Sequence, residues 1–365
     1  MNRFYRFFLM ASLLLGILFT MQPQGDVSAA PAFTPSPDDF IITVDTSIPD
    51  TSALDEFIVP TFGIGDYDFN VDCDNDGTDE IVGATSSYTC DYGIPGVYTI
   101  RISNNAPSGN GFPRINFRYV SSDDKKLLTI EQWGTMAWTS MEGAFEGTSN
   151  LTITATDAPD LSNVLSTASM FEGATSLNQS INNWDVSNVL IMDKMFKDAT
   201  NFNQPLNNWD VSSVTSMSEM FYAATAFDQA LYNWNTANVT DMSSMFEDTT
   251  SFDQALTAWD TGNVSDMSNM FKNATAFNGS LSGWDVSSVT TMEEMFRGAT
   301  SFNQPLNSWD TGSVTMMSYM LSAATAFNQP LDNWDTSAVT DMSYLFSVAY
   351  SFNQAINTWD VSSVT

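Results

Sequence analysis

Eight tryptophans, one every 25 residues, are the feature that most constrains how this chain folds. No insertion interrupts their spacing. A fixed period of about 20 to 50 residues predicts a solenoid, in which each repeat buries its apolar face against its neighbours. We therefore expect most of the chain to form one stack of coils. The tryptophans are Trp184, Trp209, Trp234, Trp259, Trp284, Trp309, Trp334 and Trp359.

Each repeat divides into two apolar patterns. In residues 201–225, Phe202 and Leu206 have the spacing of one face of a short strand. The second half has apolar residues at intervals of three and four, which predicts an amphipathic helix from Val214 to about Ala223. Its polar flanking residues, such as Ser213, are good helix N-caps. The apolar residues of this second half are Val214, Met217, Met220 and Phe221.

These patterns predict a mixed α/β fold, with a leucine-rich-repeat-like solenoid of strand–turn–helix repeats over residues 148–365. A pure β-helix is the alternative architecture, and the spacing of three and four argues against it. The recurring methionines fit core packing better than an adaptable binding groove. Residues 121–147 carry a degenerate copy of the repeat that ends at Phe145, and we expect them to cap the first coil.

The N-terminus has the pattern of a secretory signal peptide. Arg3 and Arg6 precede an apolar run over residues 7–21, and small residues follow at 27–30. We expect cleavage near residue 30 and export of the chain. An uncleaved anchor is the alternative, but the run is shorter than the roughly 20 residues that span a bilayer. No later segment is apolar enough to cross a membrane, and residues 31–39 form a proline-rich linker.

Residues 40–120 alternate apolar and polar side chains in short runs separated by turn residues. This alternation predicts a small all-β sandwich. Cys73 and Cys90 each share a strand face with aromatic residues, so both side chains point the same way as those rings. In an exported chain we expect a Cys73–Cys90 disulfide, and the alternative is two buried free thiols.

An acidic loop lies between these cysteines. Asp72, Asp74 and Asp76 alternate and are followed by Gly77, as in the first half of a calcium-binding loop. Gly83 stands where such a loop supplies its bidentate glutamate. These aspartates are therefore candidate calcium ligands, and the alternative is an acidic hairpin turn held by side-chain to backbone hydrogen bonds. No other cofactor is expected.

Charge and residue usage exclude several functions. The chain has 11 basic and 43 acidic residues, a net charge of -32, and no histidine. Such a field disfavours binding to nucleic acid or anionic membranes. Without histidine, Ser-His-Asp and Cys-His catalysis are excluded, and so is the commonest zinc ligand.

An aspartate follows most of the repeated tryptophans, and stacking would bring these carboxylates into a column. We expect each to accept backbone hydrogen bonds in an Asx turn, a role that Asn235 also fills in its copy. A ladder of calcium ions is the alternative. Catalysis is disfavoured because identical copies do not single out one acid and one base. The aspartates are Asp185, Asp210, Asp260, Asp285, Asp310, Asp335 and Asp360.

Successive repeats differ most at the positions expected to face outward from the helix. An individual outer surface on a uniform core is typical of a scaffold that presents an extended contact surface, although relaxed surface drift gives the same pattern. The candidate binding residues are Lys197, Tyr222, Glu247, Lys272, Arg297, Tyr319 and Tyr344.

Several motifs resemble the BspA-like leucine-rich-repeat family of bacterial surface proteins. They are the run at 126–141 (KLLTIEQWGTMAWTSM), the piece at 155–160 (ATDAPD) and the repeated Phe-Asn-Gln-Pro-Leu-x-x-Trp-Asp with its Val-Thr-x-Met-x-x-Met-Phe. Residues 40–120 resemble the PKD-like or immunoglobulin-like domain that often precedes such repeats. The resemblance implies a cell-surface location and binding to proteins or other cells, with no catalytic residues.

We therefore expect a secreted or surface-displayed protein that is not an enzyme and that binds an extracellular protein or a cell-surface ligand. The alternatives are a carbohydrate-binding or polysaccharide-active protein and a passive stalk. The chain stops at Thr365, where the next helix of the predicted solenoid should begin, so we also expect a truncated C-terminus or a further cap.

Overall fold

The computed structural model describes residues 33–63, 67–105, 111–118 and 122–365. The predicted signal peptide lies outside the described residues. From Pro35 to Thr365 the chain forms one compact unit. Among the described residues, no helix has the length and hydrophobicity that crossing a bilayer requires.

Eight short strands in two sheets occur among the described residues, and all but β8 lie in the N-terminal part of this unit. Six strands form a mixed sheet in the order β4-β3-β6-β1-β7-β8, and β2 pairs with β5 in a second sheet. A 3₁₀ turn at Asp124–Lys126 precedes β7. The strands are β1 (Phe40–Asp45), β2 (Glu56–Val59), β3 (Phe69–Asp72), β4 (Ile81–Ala84), β5 (Tyr88–Asp91), β6 (Val97–Asn104), β7 (Leu127–Gln132) and β8 (Thr152–Ile153).

Strand β7 connects this sheet to the repeats. It pairs with β1 on one side and runs parallel to β8, which lies within residues 148–365, on the other. Phe145 stacks on Phe171 of the next coil, and Phe117 packs against Phe145. The buried apolar residues from Phe40 to Leu345 therefore form one continuous core.

The repeats contain no helix, so the predicted mixed α/β fold with leucine-rich-repeat-like strand–turn–helix coils is wrong, whereas parallel bridges do connect each coil to the next. Within residues 33–63, 67–105, 111–118 and 122–365, the single helical element is the 3₁₀ turn before β7. Each coil is a chain of tight turns with one parallel bridge to the next coil, such as Ser216 to Asp241. That bridge falls inside the segment predicted to be helical, and the segment predicted as a strand around Phe202 is irregular.

Backbone geometry explains the error. Glu219 and Ala223 have φ values of 57° and 53°, which no right-handed helix accommodates. The amide of Glu219 donates to the Ser243 carbonyl at 2.9 Å, and that of Phe221 donates to the Met245 carbonyl at 2.9 Å. These amides bond to the next coil instead of to the preceding turn, and consecutive tight turns repeat apolar residues at the same intervals as a helix.

The predicted core residues are nevertheless buried. Val214, Met217, Met220 and Phe221 have no exposed surface, and their counterparts in neighbouring coils are buried as well. Equivalent rings stack along the solenoid; Phe221 and Phe246, for example, lie 5.6 Å apart with planes 6° apart. At that separation the parallel rings are offset, which is a favoured arrangement of aromatic pairs.

Candidate functional site

One side of the solenoid carries two adjacent columns of residues that change from coil to coil, and we call this the variable strip. Every residue of the first column has φ between 54° and 59°, so each coil makes the same left-handed turn here. The first column is Ser169, Lys194, Glu219, Ser244, Asn269, Glu294, Tyr319 and Tyr344, and the second is Glu172, Lys197, Tyr222, Glu247, Lys272, Arg297, Ser322 and Ser347.

The seven candidate binding residues all belong to this strip, and the structure brings them into contact across coils. The Lys197 ammonium pairs with Glu219 and lies 4.7 Å from the centre of the Tyr222 ring. The Arg297 guanidinium lies 5.0 Å from the centre of the Tyr319 ring. That ring in turn stacks on Tyr344, with centroids 4.7 Å apart.

Further ion pairs occupy the middle of the strip. The Lys272 ammonium lies 3.0 Å from a Glu247 oxygen and 2.8 Å from a Glu294 oxygen. Arg297 lies 2.8 Å from the other oxygen of Glu294. Half-exposed pairs of this kind contribute at most about 1 kcal/mol each to stability, so their main effect is to hold long side chains in a fixed order.

The ion pairs also favour the charged forms of their acidic and basic side chains. Burial alone would raise the pKa of Glu219, but the hydrogen bond and charge of Lys197 outweigh it and hold that pKa below its usual value. Burial opposes the charged form of Lys197 as well, and the same partner raises the pKa of this lysine. The strip therefore keeps its alternating charges at neutral pH.

Basic residues of the repeats are confined to this strip. Residues 148–365 contain four of them, Lys194, Lys197, Lys272 and Arg297, and all four lie in the two columns. The strip also differs in exposure along its length: Glu247 is buried, whereas Tyr344 is 63% exposed. The strip offers acidic, basic and aromatic side chains, at positions that differ from one coil to the next.

The aspartates after the repeated tryptophans are outside the two columns of the variable strip and have the predicted structural role. Asp210 accepts a hydrogen bond from the Ser212 amide at 3.0 Å, and Asn235 accepts one from the Ala237 amide at 3.2 Å. Hydrogen bonds from the Ser212 hydroxyl and amide lower the pKa of Asp210. These Asx turns are confirmed, and they leave the side chains engaged in the backbone of their own coil.

A second polar column was missed at the sequence level. The side-chain oxygen of Asn303 accepts from the Asn328 amide at 2.9 Å and from the Gln329 side chain at 3.1 Å. Asp228 and Asp253 make the same contact to the backbone of the coil that follows each of them. The recurring Asn-Gln after phenylalanine is the sequence pattern that could have predicted this column. We call the column the Asn ladder, because each of its side chains accepts hydrogen bonds from the next coil.

The acidic loop of the N-terminal part is largely occupied by internal contacts. Oxygens of Asp72, Asp74 and Asp76 lie within 4.8 Å of one another. However, Asp72 accepts from the Gly77 amide at 2.8 Å and from the buried Arg101 guanidinium at 3.1 Å. Arg101 already supplies positive charge at this point, which works against a second cation. Calcium binding stays a prediction.

The predicted Cys73–Cys90 disulfide is confirmed, with Cα atoms 5.8 Å apart. It joins the end of β3 to β5 and therefore ties the two sheets together. The acidic loop begins beside it.

Comparison with known proteins gives one family. A family model described as "Mycoplasma protein of unknown function, DUF285" matches residues 139–258, 204–288 and 279–365. No curated protein and no solved structure matches the chain.

Proposed function

The chain belongs to the DUF285 repeat family, whose function is unknown, and from that premise we propose that it is a non-catalytic binding scaffold. In this proposal the variable strip recognises an extracellular protein or a cell-surface ligand. The observation that carries it is the contrast between a uniform interior and a strip that gathers every basic residue of residues 148–365.

Interface chemistry supports this choice of surface. Tyrosine and arginine are enriched at the energetic centres of protein interfaces, and here Tyr319, Tyr344 and Arg297 lie together at one end of the strip. Their side chains are held in order by neighbouring coils, so little conformational freedom would be lost on binding. Solenoids commonly bind partners along such an extended surface.

The proposal includes export to the cell surface and excludes catalysis. The signal-peptide pattern and the resemblance of the repeats to BspA-like surface proteins support export, and the PKD-like resemblance of residues 40–120 supports the same setting. The absence of histidine and the use of each Trp-Asp carboxylate in an Asx turn leave no distinct acid and base to propose. No cofactor is required.

Beads coated with the chain test the proposal on a panel of immobilised extracellular proteins and on intact cells. In the strip variant, serine replaces Lys197, Tyr222, Lys272, Arg297 and Tyr319, because serine already stands at equivalent positions in other coils. The control carries serine in place of Thr215, Thr240, Thr290, Thr315 and Thr340, an exposed column in which Ser265 is the natural precedent.

We expect the strip variant to lose at least about tenfold in bead retention, since several contacts of roughly 1 kcal/mol each disappear together. The threonine control should adhere like the unmodified chain. Equal retention of both variants, with the unmodified chain adhering, would favour a passive stalk and contradict the proposal.

A further inference from the structure

A second surface feature lies far from the repeats in sequence, in the N-terminal sheets. A cavity of about 370 Å³ lies beside strand β5 and the start of β6. Among the residues that the structure describes, strand β5 pairs only with β2, and residues 97–100 of β6 pair only with β1. The cavity therefore lies beside the unpaired edges of these two strands. It is lined by Cys73, Asp74, Glu80, Tyr88, Thr89, Asp91, Tyr92 and Tyr98.

Three tyrosines give this cavity aromatic walls. The rings of Tyr92 and Tyr98 are stacked, with centroids 3.6 Å apart and planes 8° apart, and Tyr88 is half-buried nearby. The Tyr92 hydroxyl donates to the Cys73 carbonyl at 2.8 Å, and the Tyr98 hydroxyl donates to the Ile94 carbonyl at 2.7 Å. One face of each ring is covered by the other, and both hydroxyl protons are engaged. These two residues therefore offer their remaining ring surface more than hydrogen-bond donors.

Three carboxylates give the same cavity a negative charge. One oxygen of Glu80 accepts from the Cys73 amide, and one oxygen of Asp91 accepts from the Gly93 amide at 3.0 Å. One oxygen of Asp74 accepts from the Asp76 amide at 3.3 Å. Among the described residues, nothing donates to their second oxygens and no basic side chain lines the cavity. The Arg101 guanidinium pairs with Asp72 and Asp79, which lie outside the lining of the cavity. The three carboxylates that line the cavity therefore give it a net negative charge.

Tyr92 is neutral at physiological pH, as tyrosines ordinarily are. Burial, followed by the charge of Glu80, raises its pKa well above the usual value. A neutral ring retains the electron-rich face that attracts cations, and that attraction strengthens when the cation is partly desolvated.

We propose that this cavity binds an alkylammonium group, of the kind carried by choline or by a lysine side chain. Aromatic faces beside carboxylates match the two properties of such a cation, which are its apolar surface and its positive charge. A sugar fits less well, because the engaged tyrosine hydroxyls leave few donors for its hydroxyl groups. This site is separate from the variable strip and adds to the proposed function.

Titration of the full exported chain with choline in the presence of a chelator tests the site, because the chelator keeps metal ions away from Asp74. The readouts are calorimetry and the backbone amide signals of Thr89 and Asp91. 3,3-Dimethylbutan-1-ol is the uncharged isostere of choline, Nα-acetyl-lysine amide presents the lysine form, and glucose represents sugars. The variant Asp74→Asn/Asp91→Asn is compared with Asp253→Asn/Asp332→Asn, two exposed solenoid positions with the same change of charge.

We expect choline or the lysine amide to bind saturably, about tenfold tighter than the uncharged isostere. The stronger of the two identifies the source of the ammonium group. The Asp74/Asp91 variant should bind at least about fivefold more weakly, and the solenoid variant should bind normally. Absence of saturable binding by both ammonium probes, equal binding of the isostere, preferential binding of glucose, or an unaffected Asp74/Asp91 variant would each overturn the proposal. The strip variant should bind choline normally, so this site and the proposed function can fail independently.

Discussion

The two parts of this molecule are stabilised in opposite ways. The N-terminal sheets depend on contacts that occur once, such as the disulfide, the ion pairs of Arg101 with Asp72 and Asp79, and the buried pair of Lys126 with Asp123. The solenoid depends on small contacts that every coil repeats, including stacked rings and side-chain ladders. Loss of one contact should therefore reduce the stability of the first part much more than that of the second. We expect the repeats to tolerate substitutions at positions outside the side-chain ladders.

The largest expected effect comes from the pair of Lys126 and Asp123, both fully buried. The Lys126 ammonium also donates to the carbonyls of Ala53 and Glu56 at 2.7 and 2.9 Å. Lys126→Met leaves a buried carboxylate without its cation, which should cost about 3–5 kcal/mol. Denaturant unfolding measures this loss. The neighbouring exposed Lys125→Met should change stability by less than about 0.5 kcal/mol, and similar effects of the two changes would contradict the contrast.

A smaller effect is expected from one rung of the Asn ladder. Asn303→Ala removes the acceptor for the Asn328 amide and the Gln329 side chain, at a cost of about 1–2 kcal/mol. Asn303→Asp should be nearly neutral, because Asp228 and Asp253 already fill this position in their own coils. Thermal unfolding of the two variants compares them directly. If the aspartate variant were as unstable as the alanine variant, the ladder would not work as described.

The smallest effect is a pH dependence with opposite signs in the two parts. Burial and the adjacent Asp50 raise the pKa of Asp124 to about 6, so its ionisation destabilises the fold and Tm should rise as pH falls from 7 towards 4. Hydrogen bonds lower the pKa of exposed Asx aspartates such as Asp210. Their contribution is present above the unfolded value near 3.8 and is lost below it, so Tm should fall again.

Two substitutions distinguish the effect of Asp124 from that of the Asx aspartates in a series of Tm measurements from pH 2 to 7. Asp124→Asn should flatten the rise between pH 7 and 4. Asp210→Asn should slightly reduce the decline below pH 4, because an asparagine keeps the Asx turn without titrating, as Asn235 does. An unchanged slope in both ranges would contradict the assigned causes.

Features that depend on residue type and spacing within a single repeat could be predicted from the sequence. The 25-residue period, the buried set around Phe221 and the Asx turns all follow from residue type and local spacing. The disulfide also followed, because strand alternation placed Cys73 and Cys90 on matching faces and export favours oxidation.

Features that depend on two coils could not be read in the same way. Apolar residues three and four apart occur both in a helix and in a series of tight turns, and the amides of Glu219 and Phe221 decide between them by bonding to the next coil. The pairing of Lys197 with Glu219, which are 22 residues apart, likewise depends on how coils stack. The individual strip residues were predictable, and their contacts were not.

The most direct test of the central claim exchanges strip residues between coils without changing composition or net charge. Glu219 and Tyr222 are exchanged with Tyr344 and Ser347, neither of which is buried, and bead retention is measured on a surface that retains the unmodified chain. If the order of groups along the variable strip carries recognition, retention should fall at least about tenfold while Tm stays within a few degrees. Undiminished retention with an intact fold would show that the order along the strip does not matter and would contradict the account.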